Sequence, residues 1–370
     1  MLKETIDKLP YVKRMRAMYA RHERAMVPAV LLFGFIFDIF TFKSIDVNTA
    51  FLLLGVHLVI VMLSILFVNF CDIRWKDSTS NILNKLRLFS ILLMQFSFGA
   101  LLSAAFIFYS FGGSISGSWP LIVLLLFMMI ANEVFKQFYL KTVVQVSVLF
   151  LVLFVFLSIV FPFVFHSISL WFFVLAGVTS LAIISLYVFA LYKLFPILKQ
   201  KEFYFYFNII LIFSLLNGLY FMNFVPPIPV SMVDAGMYQG LKRIPGGYDL
   251  VQQKENIFEK IVPGKKLKIV EGEPIYAFTS VFAPSKLQTK VVHNWQWQDD
   301  KTKEWKTINK LSYNINGGRK QGYRGYSLIT KAREGSWRVL VETERSQVFG
   351  KIKFDVEFVD KITTREHIKK

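Results

Sequence analysis

Long apolar runs fill residues 27–224 and are absent from 225–370. A helix needs about 20 mostly apolar residues to cross the hydrocarbon core of a bilayer. Seven segments meet that requirement: 27–42, 49–70, 88–110, 119–138, 143–165, 168–192 and 207–224. The first is short and contains Asp38. The whole chain is 54% hydrophobic with a mean hydropathy of +0.47, against about 45–50% apolar residues in an ordinary soluble protein. Its polar remainder carries no such run, so the sequence predicts a seven-span membrane domain over 27–224 followed by a soluble one. Residues 1–26 are basic and lack a small-residue cleavage site before Val27, so the first span reads as a retained membrane helix and not a secretory signal.

Lys and Arg in the short connections set orientation. Sixteen lie in the N-terminal tail and the connections after spans two, four and six, and the alternate connections hold only Lys43. That split predicts a cytoplasmic N-terminus, and seven spans then put the C-terminal domain on the other side. The net charge of +18 would otherwise suggest nucleic acid. Of it, +10 falls on the predicted external domain, where the available anions are phospholipid headgroups, lipid-linked phosphates and wall polymers. Nucleic acid is excluded as a partner on compartment. In the tail, Leu2, Ile6, Leu9, Val12, Met15 and Tyr19 recur every three or four residues. This pattern suits an amphipathic helix on the anionic inner leaflet, or a solvated basic tail that serves topology alone. Cys71 is the one cysteine, so no disulfide can form within the chain, and it reads as a small core residue.

After the last span, 225–247 reads as an extended linker: VPPIPV is stiff, and VDAGMYQGLKRIPGG is irregular. From Tyr248 the pattern becomes strands. In KIKFDVEF, Ile352, Phe354, Val356 and Phe358 share one face; in SWRVLVET, Trp337, Val339 and Val341 point inward. KLKIV, IYAFTSVF, TKVVHNWQWQ, KTINKLSYNI and GYRGYSLIT are further candidates, separated by turn residues. About seven short strands predict an antiparallel, immunoglobulin-like β-sandwich over 248–360, with 361–370 a basic tail.

The pieces YAFTSVFAP, VVHNWQW, NGGRKQGYRGYS, GSWRVLVET and QVFGKIKFDV, in that order between Tyr276 and Phe358, resemble bacterial membrane proteins that carry the domain of unknown function 2914. FGFIFDIFTF and ANEVFKQF are similar to the membrane region that accompanies that domain. The resemblance implies a Gram-negative inner-membrane protein with a periplasmic domain, and it supplies no catalytic residues.

Three places could carry chemistry. GGRKQGYRGYS, Gly317–Ser327, lacks the GK[ST] ending of a nucleotide loop and lies between two strands. It is a hairpin or inter-strand turn whose cations have two readings. Arg319, Lys320 and Arg324, with Tyr323, form an anion site, or Arg319 or Arg324 pairs with Glu342 or Glu344. In VVHNWQWQ, alternation gives His293 and Trp295 to the core, with Trp297 open to a surface role against a sugar. In the membrane, ionisable side chains are expensive. Asp38, roughly 6 Å deep, can reach His57, roughly 12 Å deep, at 1.5 Å per residue, and Glu133 can pair with Lys136 three residues on. Asn132, Gln95 and Asn217 can join helices by hydrogen bonds. No metal-ligand spacing, nucleophile motif or cofactor loop stands out. The sequence therefore predicts a non-enzymatic envelope protein whose sandwich binds an anionic glycan, a lipid headgroup or a partner protein. The alternative is a transporter or transferase of a lipid-linked substrate, working through Asp38, His57 and Glu133.

Overall fold

Among the described residues, six α-helices occupy the apolar part of the protein: α1 (Val47–Arg74), α2 (Asn81–Phe111), α3 (Ile115–Val134), α4 (Thr142–Val164), α5 (Leu170–Leu194) and α6 (Glu202–Phe221). A 3-10 turn, Pro196–Lys201, leads into α6 and begins with a proline, whose missing N–H costs nothing at that position. The structure is a computed structural model and describes residues 47–75, 81–111, 115–134, 141–226, 230–253, 265–283, 287–318, 322–360 and 365–370. Five helices in the described residues are long and apolar enough to cross a bilayer, where seven were expected. Segment 27–42 lies outside the described residues. Over the fourth expected span α3 runs Ile115–Val134, and within it the described residues give a shorter apolar helix, Ser118–Asn132.

The chain divides into two compact units. One comprises Met1–Ile107, Val123–Leu157 and Gly177–Leu215; the other comprises Phe108–Ile122, Ser158–Ala176 and Leu216–Lys370. In the first, apolar side chains point outward as well as inward: Leu52 and Leu186 are each 69% exposed. A helix apolar on all sides has no stable solution in water unless something apolar covers it. Polar side chains are turned inward and joined. Asn69 donates to the Ile65 carbonyl at 2.7 Å and to Gln145 Oε1 at 3.4 Å, and Thr142 donates to Asn69 Oδ1 at 2.5 Å. Asn132 donates to the backbone carbonyl of Gln95 at 3.1 Å, which joins α3 to α2 without using the Gln95 side chain. Where water is scarce, such bonds hold helices together. Asp72 and Arg87 form an ion pair between α1 and α2.

Among its described residues the second unit contains eleven strands: β1 (Ser231–Tyr238), β2 (Gly240–Ile244), β3 (Gly247–Gln253), β4 (Lys265–Ile269), β5 (Ile275–Phe282), β6 (Gln288–Gln298), β7 (Trp305–Asn316), β8 (Tyr323–Ile329), β9 (Gly335–Thr343), β10 (Val348–Phe358) and β11 (Arg365–Lys369). They make three sheets, ordered β1-β5-β8, β4-β10-β9-β6-β7 and β11-β3-β2. The first two face each other across the core, as a sandwich requires. Met237, Ile275 and Ala277 of the first meet Trp295, Trp337, Val339 and Phe354 of the second. Trp295 stands edge-on to Phe354 at 6.3 Å. The alternate residues of β1 and β5, Tyr238 and Phe278, pack instead on Leu250 of the third sheet. The period of two thus gives β5 a buried layer on each side.

Three expectations are corrected. The stretch expected to be an irregular linker over 225–247 contains β1 and β2, with β1 paired along β5 from Ser231 to Tyr238. The supposed basic tail contributes β11, which pairs antiparallel with β3. The sandwich is not wholly antiparallel: β4 runs parallel to β10. The β9–β10 turn reaches the helix end that belongs to the same unit, where Arg345 Nη1 donates to Tyr220 Oη at 2.5 Å and Tyr220 stacks on Phe173 at 3.7 Å.

Candidate functional site

β7 and β8 lie in different sheets, so the GGRKQGYRGYS stretch between them crosses from one layer to another and is not a hairpin. Within it Gly325 is required for packing. A Cβ there would meet the Tyr313 ring at 2.2 Å, so the stretch brings backbone against an aromatic face. Arg319 and Lys320 lie outside the described residues. Arg324 and Tyr323 open β8 and line a cleft of about 550 Å³ with Arg243, Ile244, Pro245, Gly246, Gly247 and Tyr248.

The opposite wall is the β2–β3 hairpin. Ile244 pairs with Gly247, so Pro245 and Gly246 form a two-residue turn. Gly246 has φ +85°, which the position after a turn-opening proline demands. Arg324 Nη1 donates to the Gly246 carbonyl at 3.1 Å, which fixes the guanidinium at the hairpin tip. A Cβ on Gly247 would come within 3.1 Å of that nitrogen and 2.2 Å of the Lys370 carbonyl oxygen, so only glycine leaves this corner open. Tyr248 lines the cleft and stands edge-on to Tyr326 at 5.9 Å, and Tyr326 in turn lies 6.4 Å from Tyr276. Two arginines and two tyrosines therefore line one concavity, with the exposed Tyr326 beside it. Arg suits bidentate pairing with a carboxylate or phosphate.

Among the described residues no ion pair joins Arg324 to Glu342 or Glu344. Glu344 pairs with Lys290 at 2.8 Å, and Glu342 accepts from Asn294 at 3.1 Å. Trp297 is no open sugar platform. It packs against the core cluster, donates to the Glu334 carbonyl at 3.0 Å, and has the Arg333 guanidinium over its ring. His293 is fully buried between Thr279, at 2.9 Å from Nε2, and Ser327, at 2.7 Å from Nδ1. Burial lowers its pKa to about 4.

In the helical unit, His57 Nδ1 lies 3.1 Å from Ser97 Oγ. Its expected partner Asp38 and the cation Lys136 fall outside the described residues, as does the side chain of Glu133. The membrane residues are therefore not brought together in what is described. Arg243, Tyr248 and the Pro245–Gly247 turn were missed in the sequence, although Pro-Gly-Gly between the alternating runs GLKRI and YDLV is a hairpin signal.

No curated protein matches the chain. Among solved structures, an immunoglobulin-like protein from Pseudomonas aeruginosa is similar over 35% of this chain and 96% of its own, at 11% identity and a TM-score of 0.20. An alkylpurine DNA glycosylase from Pseudomonas fluorescens, bound to DNA containing an abasic site analog, is similar over 81% of this chain and 96% of its own, at 10% identity and a TM-score of 0.21. Residues 288–356, from the start of β6 to Val356 of β10, match the family described as Protein of unknown function (DUF2914).

Proposed function

We propose that the protein is an inner-membrane binding protein whose all-β region, on the periplasmic side, takes an anionic envelope ligand in the Arg243–Arg324 cleft. The observation that carries this reading is a cleft of about 550 Å³ lined by two arginines from separate sheets together with Tyr248 and Tyr323. That volume lies within the roughly 300–1,000 Å³ typical of small-ligand sites. A carboxylate on a sugar ring matches the pairing of an Arg fork with an aromatic wall. Membrane placement is supported by five span-length helices with outward apolar side chains, and the orientation by the lopsided distribution of Lys and Arg. Lipid headgroups and an envelope protein are the other ligands the charge would accept.

The test uses the full chain in phosphatidylcholine nanodiscs, with uronic-acid oligosaccharides as the probe and neutral oligosaccharides of equal length as the control. A hydrogen bond to a charged group contributes about 1.5–3 kcal/mol, so Arg243→Gln or Arg324→Gln should each weaken binding roughly ten- to a hundredfold. The affinity should fall with added salt. Unchanged binding by the double variant would refute the cleft as the site.

A further inference from the structure

The five-stranded sheet has a second face. Residues that alternate with its core side chains are Asn294 and Gln296 on β6, Arg338 and Glu342 on β9, and Lys351 and Lys353 on β10. Glu342, Asn294, Gln296 and Arg338, with Thr307 of β7, form a connected chain across β9, β6 and β7. Asn294 Nδ2 donates to Glu342 Oε1 at 3.1 Å, Thr307 Oγ1 to Asn294 Oδ1 at 3.2 Å, and Gln296 Nε2 to Thr307 Oγ1 at 3.3 Å. The chain ends on Arg338, whose Nε donates to Gln296 Oε1 at 2.7 Å and whose guanidinium lies 4.2 Å over the Trp305 ring. Arg338 is therefore gripped through its Nε and one flat side, and neither grip uses its terminal nitrogens.

Charge on this face is unbalanced in one place. Lys266 and Lys268 of β4 sit in register with Asp355 and Glu357. Arg338, by contrast, is in register with Lys353, and Leu340 with Lys351. Residues directly opposite on paired strands have Cβ atoms about 5 Å apart. Three cations thus crowd together, and none of them forms an ion pair among the described residues. Burial, together with the charges of Lys353 and Arg338, holds the Lys351 ammonium below its ordinary pKa. Glu342, the acid at the far end of the chain, is pushed upward by burial, towards its neutral form.

We propose that Arg338, Lys351 and Lys353 form a second binding site, for a phosphate group, on the outer face of the five-stranded sheet. A held Arg fork flanked by two flexible ammonium groups suits a tetrahedral anion that carries more than one charge. All three residues lie within the segment 288–356 that matches the family. This site is independent of the cleft and does not rest on it.

The full chain is tested in phosphatidylcholine nanodiscs, carrying Arg243→Gln and Arg324→Gln so that the cleft contributes nothing. Tripolyphosphate binding is read by titration calorimetry. Arg338→Gln should weaken it by about tenfold or more, the size of a lost charge-assisted bond. Lys353→Gln, at an exposed position that folding does not depend on, should weaken it severalfold. Arg338→Lys should recover only a small part, because an ammonium cannot make the fork. A second arm offers phosphatidylglycerol vesicles. Capture that Arg338→Gln abolishes and tripolyphosphate competes for assigns the headgroup as the source, and tripolyphosphate binding without capture assigns a soluble phosphate. No binding by the parent, full rescue by Arg338→Lys, or an equal loss on changing the distant Lys301 to Gln would overturn the proposal.

Discussion

Acid should loosen the all-β region through one residue, His293. Its ring is fully buried and touches Thr279 and Ser327, with Tyr313 bonded to Thr279 at 2.6 Å and Trp295 donating to Ser327 at 2.9 Å. None of these partners is a carboxylate. A neutral imidazole can donate from one nitrogen and accept at the other, which this arrangement satisfies; an imidazolium would bring a second donor and an unpaired charge into the core. Burial accordingly lowers the pKa from 6.5 to about 4. The unfolded chain takes up the proton first as pH falls, so the stabilisation is complete above 6.5 and is lost between 6.5 and about 4. From those two values the loss at about pH 4.5 is ~2.5 kcal/mol. For a region of this size that is a fall of roughly 10 °C in melting temperature. Glu342 works in the opposite sense. Its pKa is raised in the fold, so it contributes stability at low pH that is lost on going up through the raised value. Comparing the parent with His293→Gln removes this contribution. The measurement is tryptophan-fluorescence melting of the full chain in detergent at about pH 7.5 and about pH 4.5. The variant should be less stable at the higher pH but should lose little of what the parent loses on acidification. An equal acid-induced drop in both would refute the reasoning.

Two further outcomes follow from geometry. Gly325→Ala places a methyl group 2.2 Å from the Tyr313 ring, so it should cost at least the 1–3 kcal/mol usual for overpacking, and Tyr313→Ala in the same chain should make the pair cost less than the sum; strict additivity would show that the two do not meet. A reporter active only outside the cytoplasm should work when fused after Lys370 and fail when fused within residues 76–80, and the reverse pattern would overturn the proposed orientation.

Strands whose alternation is driven by burial were legible from sequence. In β9 and β10, Trp337, Val339, Phe354 and Val356 all lie in the core where the period of two put them. β11 was not legible because REHIK is almost entirely exposed and polar: it is held by pairing with β3 and by contacts such as Arg365 with Glu273 at 2.8 Å, which leave no hydrophobic pattern. β1 was hidden by its place directly after a proline-rich exit from the helices, and its burial reads as intermediate along most of its length. The candidate cleft was half legible. Arg324 and Tyr323 stood out by composition, whereas Arg243 is near them only because the third sheet packs on the first, a relation between residues about eighty apart that local pattern does not carry. The Arg338 site was hidden for a related reason. Its cations sit on two strands at the polar positions of the alternation, and only the register shows that Arg338 and Lys353 oppose one another.

The pairing of β3 with β11 and of β4 with β10 bears on how this protein reaches its folded state. Both early strands pair with segments roughly ninety or more residues later in the chain. Closing such long loops is entropically costly before any contact rewards it, so β-structures dominated by distant pairings form slowly. During synthesis β4 would wait for β10, its one sheet neighbour among the described residues, and β3 would have β2 beside it until β11 arrives. In that interval both expose backbone donors and acceptors to any other extended chain. The vulnerable species is thus the unfinished chain rather than the folded protein, and truncations that remove only the last strand should be felt first as aggregation during biogenesis.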